Sequence, residues 1–243
     1  MIKLSYTPRE IEHKTKMIYQ KVITSSQNFS NGNFTSFGSA DLKHLFQLYD
    51  HHFFNNYFTK NCGDRINFRL SERMTQSGGK TSYWKQTKTF EICLSTTLIF
   101  QTFKDVFREI QVNGIVCRDR LETVMRILEH EIIHLMELVA CGKSSCSKPQ
   151  FQQLSGSIFN HSGVTHQLVT HAERAYKKFN LKPGDQVAFD FEGRSYVGKI
   201  HRITKRATVL VRDCKGSFRD KQERQYSKFY VPVFALRRQE NME

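Results

Sequence analysis

A helical stripe that carries two histidines restricts the possible folds of this chain more than any other feature. Apolar residues recur at positions 121, 124, 125, 128, 132, 135 and 139, and this spacing predicts one long helix from Arg120 to Ala140. Gly142 follows as the expected C-cap. In the middle of the helix stands His130-Glu131-Ile132-Ile133-His134, which places three polar side chains among the apolar turns.

The spacing of His130 and His134 predicts a metal site. Histidines at positions i and i+4 project from the same face of a helix, so both imidazoles reach one tetrahedral metal ion. Glu131 lies beside the first ligand, where a carboxylate can take a proton from zinc-activated water and pass it to a leaving amine. The motif therefore predicts zinc as cofactor, with Glu131 as the catalytic base; the alternative is a chance occurrence.

Composition narrows the choice of partners and compartment. The chain has 37 Lys and Arg against 23 Asp and Glu, a formal net charge of +14 that favours nucleic acid or another polyanionic surface. No stretch approaches the roughly 20 apolar residues of a membrane span, and the N-terminus lacks the apolar core of a signal peptide. Six scattered cysteines without a Cys-x-x-Cys pair favour an intracellular compartment, cytoplasmic or nuclear.

The remaining patterns predict an α+β domain followed by a small all-β barrel. Residues 1–37 end in a polar run and are interpreted as an N-terminal arm. Residues 41–49 are predicted as a helix with Asp41 as N-cap, and the alternating runs 66–70 and 90–94 as strands of a short antiparallel sheet that reverses at Gly78-Gly79. Short strand-like runs follow at 186–191, 196–203, 207–211 and 229–233, and the domain boundary is placed between 178 and 179.

Residues 38–170 resemble a SprT-like (Spartan-type) domain. The motifs that carry the resemblance are Leu45-Phe46, Tyr49, Phe53-Phe54, Leu70 to Thr75, the glycine turn, Ile92 to Ser95, the His130 to His134 motif and Pro149-Gln150-Phe151. The resemblance implies a zincin-like fold over residues 38–178. It also implies a zinc metallopeptidase that cleaves proteins associated with DNA or crosslinked to it.

The third metal ligand is the point at which this chain departs from the family. In the family a third histidine stands four residues before the phenylalanine that Phe151 matches, and here that position holds Ser147. A neutral hydroxyl is a poor zinc ligand, whereas the thiolate of the adjacent Cys146 would bind well.

Two later histidines are the other candidates. If the helix that starts at Pro149 packs antiparallel to the motif helix, a rise of about 1.5 Å per residue returns its far end to the level of His130. Such packing favours His161 as the third ligand, ahead of Cys146, with His166 last as a neighbour of the ligands or a substrate contact. Either histidine can instead be an ordinary surface residue.

Residues 181–236 resemble the small SH3-like (Tudor/KOW-type) barrels that are appended to some SprT-like proteins, and this predicts an SH3-like β-barrel domain over residues 179–243. The resemblance rests on three segments, Pro183 to Val187, Gly198 to Val211 and Tyr226 to Pro232. Four basic side chains are predicted to contact nucleic acid: Lys199, Arg202, Lys205 and Arg206. A barrel of this kind can also bind protein. The rival to the protease hypothesis is a non-catalytic nucleic-acid-binding protein whose zinc is structural and held by four protein ligands.

Overall fold

A computed structural model describes residues 4–239 and divides the chain into two compact units. The first unit ends at Leu168 and the second begins at Val169. This division falls earlier than the predicted boundary because a short helix, His171–Phe179, packs Ala175 into the core of the second unit. Between residues 4 and 239 there is no helix whose length and apolar character would let it span a bilayer.

The first unit contains six helices among the described residues. They are α1 (Pro8–Ser25), α2 (Ser39–Phe54), α3 (Tyr57–Cys62), α4 (Thr96–Gln101), α5 (Arg120–Cys141) and α6 (Pro149–Phe159).

The N-terminal region differs from the predicted arm over residues 1–37. Helix α1 starts with a capping box, in which Thr7 and Glu10 exchange hydrogen bonds, and with Pro8 in its first turn. It buries one side of its surface, including Ile18 and Val22. The polar run that follows contributes three phenylalanines to a buried aromatic cluster: Phe29, Phe34 and Phe37. This segment therefore belongs to the first unit, since its phenylalanines reach the core. They are widely spaced in the sequence, so no periodic pattern predicted this packing.

A three-stranded sheet lies against α5. Its strands are β1 (Ile66–Ser71), β2 (Gly79–Trp84) and β3 (Thr89–Ser95), in the order β1-β3-β2. β2 runs antiparallel to β3, but β1 runs parallel to it, so the prediction of an antiparallel sheet is wrong for β1. The chain leaves β1 at the end where β3 also ends, and residues 72–78 carry it across to the far side of β3. Gly78-Gly79 is therefore the entry to an edge strand and not a hairpin turn.

Helix α5 confirms the strongest local prediction. The side chain of Asp119 caps its first turn by accepting from the backbone N–H of Glu122, and Gly142 ends it in the left-handed conformation. A small hairpin precedes it, formed by β4 (Ile110–Val112) and β5 (Ile115–Cys117). The turn of this hairpin is Asn113-Gly114, and both residues have positive φ angles (55° and 79°), as a two-residue type I′ turn requires.

The second unit consists of α7 (His171–Phe179) and one antiparallel sheet. The strands are β6 (Gln186–Phe191), β7 (Arg194–Ile203), β8 (Ala207–Arg212), β9 (Phe218–Arg219), β10 (Gln225–Val231) and β11 (Arg237–Arg238). Their order is β11-β6-β7-β8-β10-β9, and side chains such as Val187, Phe189 and Val209 form the core. The predicted all-β region is confirmed. Within residues 4–239, however, β9 and β11 do not pair, and no closed barrel is found.

Candidate metal centre

Three potential metal ligands meet in one cleft of the first unit. His130 and His134 come from consecutive turns of α5, and Cys146 comes from the loop between α5 and α6. One ligand atom from each residue lies within 4.8 Å of the other two. The cleft encloses a cavity of about 390 Å³, and its walls are α5, the start of β2, and loop residues near positions 144–146 and 164–166.

The hydrogen bonds of Asn113 fix the tautomer of His130. The amide nitrogen of Asn113 donates to the carbonyl oxygen of Arg126 (2.7 Å), so its Oδ1 is the atom that faces Nδ1 of His130 at 3.1 Å. An amide oxygen only accepts, and Nδ1 must therefore carry the proton. The Nε2 atom of His130 is left with a lone pair that points into the cleft, where a metal ligand needs it.

A hydroxyl relay fixes His134 in the same way. The hydroxyl of Ser144 donates its proton to a carboxylate oxygen of Glu137, so its oxygen accepts from Nδ1 of His134 at 2.7 Å. The Nε2 atom of His134 consequently also carries a lone pair. A hydrogen-bonded second partner of this kind is the usual companion of a metal-binding histidine.

The two Nε2 atoms lie 3.1 Å apart with no proton between them. Two facing lone pairs repel each other, and a cation between them removes that repulsion. The separation is close to the roughly 3.3 Å expected for two nitrogen ligands of one tetrahedral zinc ion. Burial lowers the pKa of His130 to about 2 and that of His134 to about 4, with nearby histidines adding to the effect at His130. Both rings are therefore neutral at pH 7, and the residues present fit a metal ion.

Glu131 is held between α5 and the edge strand β2. The hydroxyl of Thr81 donates to Oε2 of Glu131 (2.8 Å) and also lies within hydrogen-bonding distance of its backbone oxygen. Burial raises the pKa of Glu131 to about 7, although the Thr81 hydrogen bond opposes the rise. A Cβ atom on Gly79 would come within 2.5 Å of Oε1 of Glu131. The glycine therefore leaves the space that the carboxylate occupies beside the strand.

The predicted third ligand, His161, lies elsewhere. Helix α6 does pack on α5 and returns the chain to the expected level, but Nε2 of His161 contacts Oε2 of Glu129 at 2.8 Å. Glu129 precedes His130 by one residue and so points about 100° away around the helix. Its carboxylate also accepts from Tyr49 (2.7 Å) and Arg126 (2.9 Å). His161 belongs to this buried network, and Cys146, the second-ranked candidate, is the residue that the structure brings to His130 and His134.

His166 lines the cleft without joining the donor group. Its ring centroid lies 4.9 Å from that of His130, and its Nε2 atom is buried without a hydrogen-bond partner among the described residues. A backbone bridge to Val112 holds the residue in place, and burial lowers its pKa to about 4. The prediction that His166 is a neighbour of the ligands or a substrate contact stays a prediction.

The four basic residues predicted to contact nucleic acid belong to the second unit. Lys199 and Arg202 lie on β7, and Lys205 and Arg206 lie in the turn that leads to β8; all four are exposed. Their role stays a prediction.

The residues that orient His130 and His134 could not be predicted from the sequence. Asn113-Gly114 between two short apolar runs is a local signal for a hairpin, but nothing local indicates that the amide reaches His130. Thr81 and Ser144 carry no signal at all, since a lone hydroxyl in a strand or a polar loop is common.

Comparison with known proteins agrees with this geometry. The model of the SprT-like family matches residues 42–173, which is more than half of the chain and includes Glu131 and all three potential ligands. No curated protein matches the sequence. The extent of the family match establishes that the chain belongs to the SprT-like family.

Proposed function

We propose that the chain is a zinc-dependent metallopeptidase that cleaves proteins associated with DNA or crosslinked to it. The observation that carries the proposal is the pair of unprotonated Nε2 atoms of His130 and His134, 3.1 Å apart, with the carboxylate of Glu131 on the same helix. Membership of the SprT-like family, whose members are generally metallopeptidase-like, supports the assignment. We assign a zincin-like fold to the first unit and an SH3-like relationship to the second as parts of the same proposal.

His130, His134 and Cys146 would hold the zinc ion. When bound, zinc polarises a carbonyl group and lowers the pKa of water towards 7, which is the chemistry that peptide hydrolysis needs. Three protein ligands are the number that catalytic zinc sites commonly use. The thiolate of Cys146 replaces the histidine that the family has at the position of Ser147.

Glu131 performs the proton transfers. Thr81 holds one carboxylate oxygen, which leaves the other to accept a proton from the attacking water and return it to the nitrogen of the leaving amine. Burial raises the pKa of Glu131, which favours a carboxyl group that can hold the proton between the two transfers. Positioned acid–base catalysis of this type typically contributes about 10²- to 10⁴-fold to the rate.

The edge strand β2 favours an extended polypeptide as substrate. β2 pairs with β3 along one of its sides, and among the described residues no strand pairs with its other side. That open side borders the cleft through Gly79, Lys80 and Thr81. An extended segment can add to such an edge through main-chain hydrogen bonds, which presents its peptide groups to Glu131.

The second unit is proposed to bring the protease to DNA. The chain has a net charge of +14, and Lys199, Arg202, Lys205 and Arg206 are exposed on one strand and the following turn. Phosphate groups bind clusters of lysine and arginine by releasing condensed counterions, so this association should weaken steeply with salt.

Replacement of Glu131 tests the proposal. Glu131→Gln keeps the shape of the side chain but cannot accept the proton, so cleavage of a small basic protein crosslinked to a single-stranded oligonucleotide should fall by at least about 10²-fold. Zinc content should remain near one ion per chain. The matched control is Glu12→Gln, an exposed residue of α1, which should cleave like the wild type. Cleavage by Glu131→Gln at the wild-type rate would refute the role of the base.

A structural zinc site in a non-catalytic nucleic-acid-binding protein is the second candidate. It is favoured only by His166, whose imidazole lies next to that of His130 and would be the fourth ligand that a closed site requires. X-ray absorption on the zinc-loaded protein separates the two functions. Two imidazole ligands, one sulfur and one water oxygen fit the peptidase, whereas three imidazole ligands and one sulfur fit the closed site.

A further inference from the structure

The outer face of the second unit contains a groove in which lysine and arginine side chains lie around aromatic rings. A cavity of about 580 Å³ lies between β7 and the segment around β9. Lys199 and Lys228 both pair in register with Leu210, so the three side chains form a row on one face of the sheet. Lys199 and Leu210 line the cavity.

The cations of this groove have no acidic partners among residues 4–239. Lys199, Arg219 and Lys221 line the cavity, and none of them forms a salt bridge to a described carboxylate. The described lining includes one acidic residue, Asp220. Its carboxylate accepts from Nε of Arg224 at 2.7 Å and from the hydroxyl of Tyr226 at 3.0 Å, so its charge is already compensated. The groove therefore carries an uncompensated positive charge.

Aromatic side chains form part of the same surface. Phe218 and Tyr226 are half-buried and line the cavity, with their ring centroids 6.4 Å apart. The ring of His201 lies 5.4 Å from that of Phe218, and Nζ of Lys228 stands 4.2 Å over the Phe218 ring. The antiparallel sheet holds these rings, and they are partly exposed to solvent. The side chains on the core face of the sheet, such as Phe189 and Val209, are fully buried.

We propose that this groove binds single-stranded nucleic acid, with Lys199, Arg219 and Lys221 contacting phosphates and the rings of Phe218 and Tyr226 contacting unpaired bases. The proposal deepens the nucleic-acid part of the proposed function. Cations beside exposed rings suit a strand whose bases are free to stack, because every base has a π face. A duplex hides those faces, and an acidic peptide supplies the charge but no rings for the aromatic side chains.

Binding of a fluorescent oligothymidylate to the full chain tests the groove independently of any protease activity. Lys199→Glu and Arg219→Glu should each weaken binding about 10-fold or more, and each should reduce the slope of log K against log salt by about 1. The matched control is Arg194→Glu, an exposed residue on the same strand β7, about 17 Å further along it. This control should leave the affinity within about twofold of the wild type, since a remote charge is largely screened.

Phe218→Leu tests the stacking contact, since it keeps apolar bulk and removes the ring. Affinity for the oligonucleotide should fall about 5- to 100-fold, with the melting transition retained. If this variant does not fold, the two charge variants still decide the matter. The proposal is overturned if Lys199→Glu and Arg219→Glu bind like Arg194→Glu, or if poly-glutamate or a duplex binds the wild type as tightly as the single strand does. None of these outcomes bears on cleavage by Glu131, which is measured separately.

Discussion

Substitution of Gly79 by alanine should impair the proposed peptidase activity while the fold and the candidate metal centre persist. The new Cβ atom would lie 2.5 Å from Oε1 of Glu131, whereas ordinary contacts of this kind begin at 3.4 Å, so the carboxylate must move by about 0.9 Å. Gly79 does not have a positive φ angle, and the backbone itself accepts alanine. A misplacement of about 1 Å in a catalytic group can cost about 10²-fold in rate. We expect kcat to fall by this factor.

The same displacement predicts a moderate loss of stability. Glu131 is buried, and its retreat breaks the hydrogen bond from Thr81, which costs about 1.5–3 kcal/mol for a charged acceptor. For a unit of this size the loss corresponds to a decrease in Tm of roughly 3–12 °C. Zinc content should not change, because the substitution does not touch the three ligands.

Cleavage assays, zinc analysis and thermal melting of Gly79→Ala are compared with those of Gly156→Ala. Gly156 lies in α6, and a Cβ atom there would meet nothing closer than 3.5 Å, so this control should match the wild type in activity. If Gly79→Ala retained activity within about threefold and melted at the wild-type temperature, the carboxylate would not be confined by β2, and the argument for its position would fail.

Three further predictions concern the surroundings of the centre and the second unit. Asn113→Ala removes the acceptor that fixes His130, so zinc affinity should fall about 10- to 100-fold in a chelator competition; an unchanged affinity would show that the amide does not set the tautomer. Glu129→Ala leaves the half-buried Arg126 and the buried side chains of Tyr49 and His161 without their shared acceptor and should destabilise the first unit by about 3–5 kcal/mol in urea; a change below about 1 kcal/mol would contradict the network. Arg206→Glu should weaken DNA binding and flatten its salt dependence by about one unit, and an identical slope would rule out a phosphate contact.

Local signals predicted the parts of the fold that depend on neighbouring residues. Helix periodicity and capping act over a few residues. They therefore predicted the apolar stripe of α5, its C-cap at Gly142 and the start of α6 at Pro149. The strand β6 over residues 186–191 was readable for the same reason. The direction of β1 was not, since its pairing with β3 joins segments separated by another strand.

The candidate site shows where this kind of prediction ends. His130, Glu131 and His134 share one helix face, so their proximity follows from spacing alone. The choice between His161 and Cys146 depends instead on which side of α5 each residue reaches. Neighbouring positions on that helix, such as Glu129 and His130, point about 100° apart, and spacing in the sequence does not say which of them a distant residue will contact. The capping box at Thr7 and the helical spacing of Ile11, Ile18 and Val22 were also local signals for α1, so the interpretation of residues 1–37 as an arm was wrong despite them.

In the proposed peptidase, the open side of β2 determines what kind of selectivity the cleft can have. Main-chain hydrogen bonds are the same for every residue except proline. A strand that binds polypeptide through them is therefore selective for an extended conformation and not for a particular sequence. A segment locked in a helix or in another sheet has no free main-chain groups to offer. Discrimination would then rest on whether a stretch of the target is locally unfolded, and the thermodynamic stability of the target becomes a determinant of its cleavage.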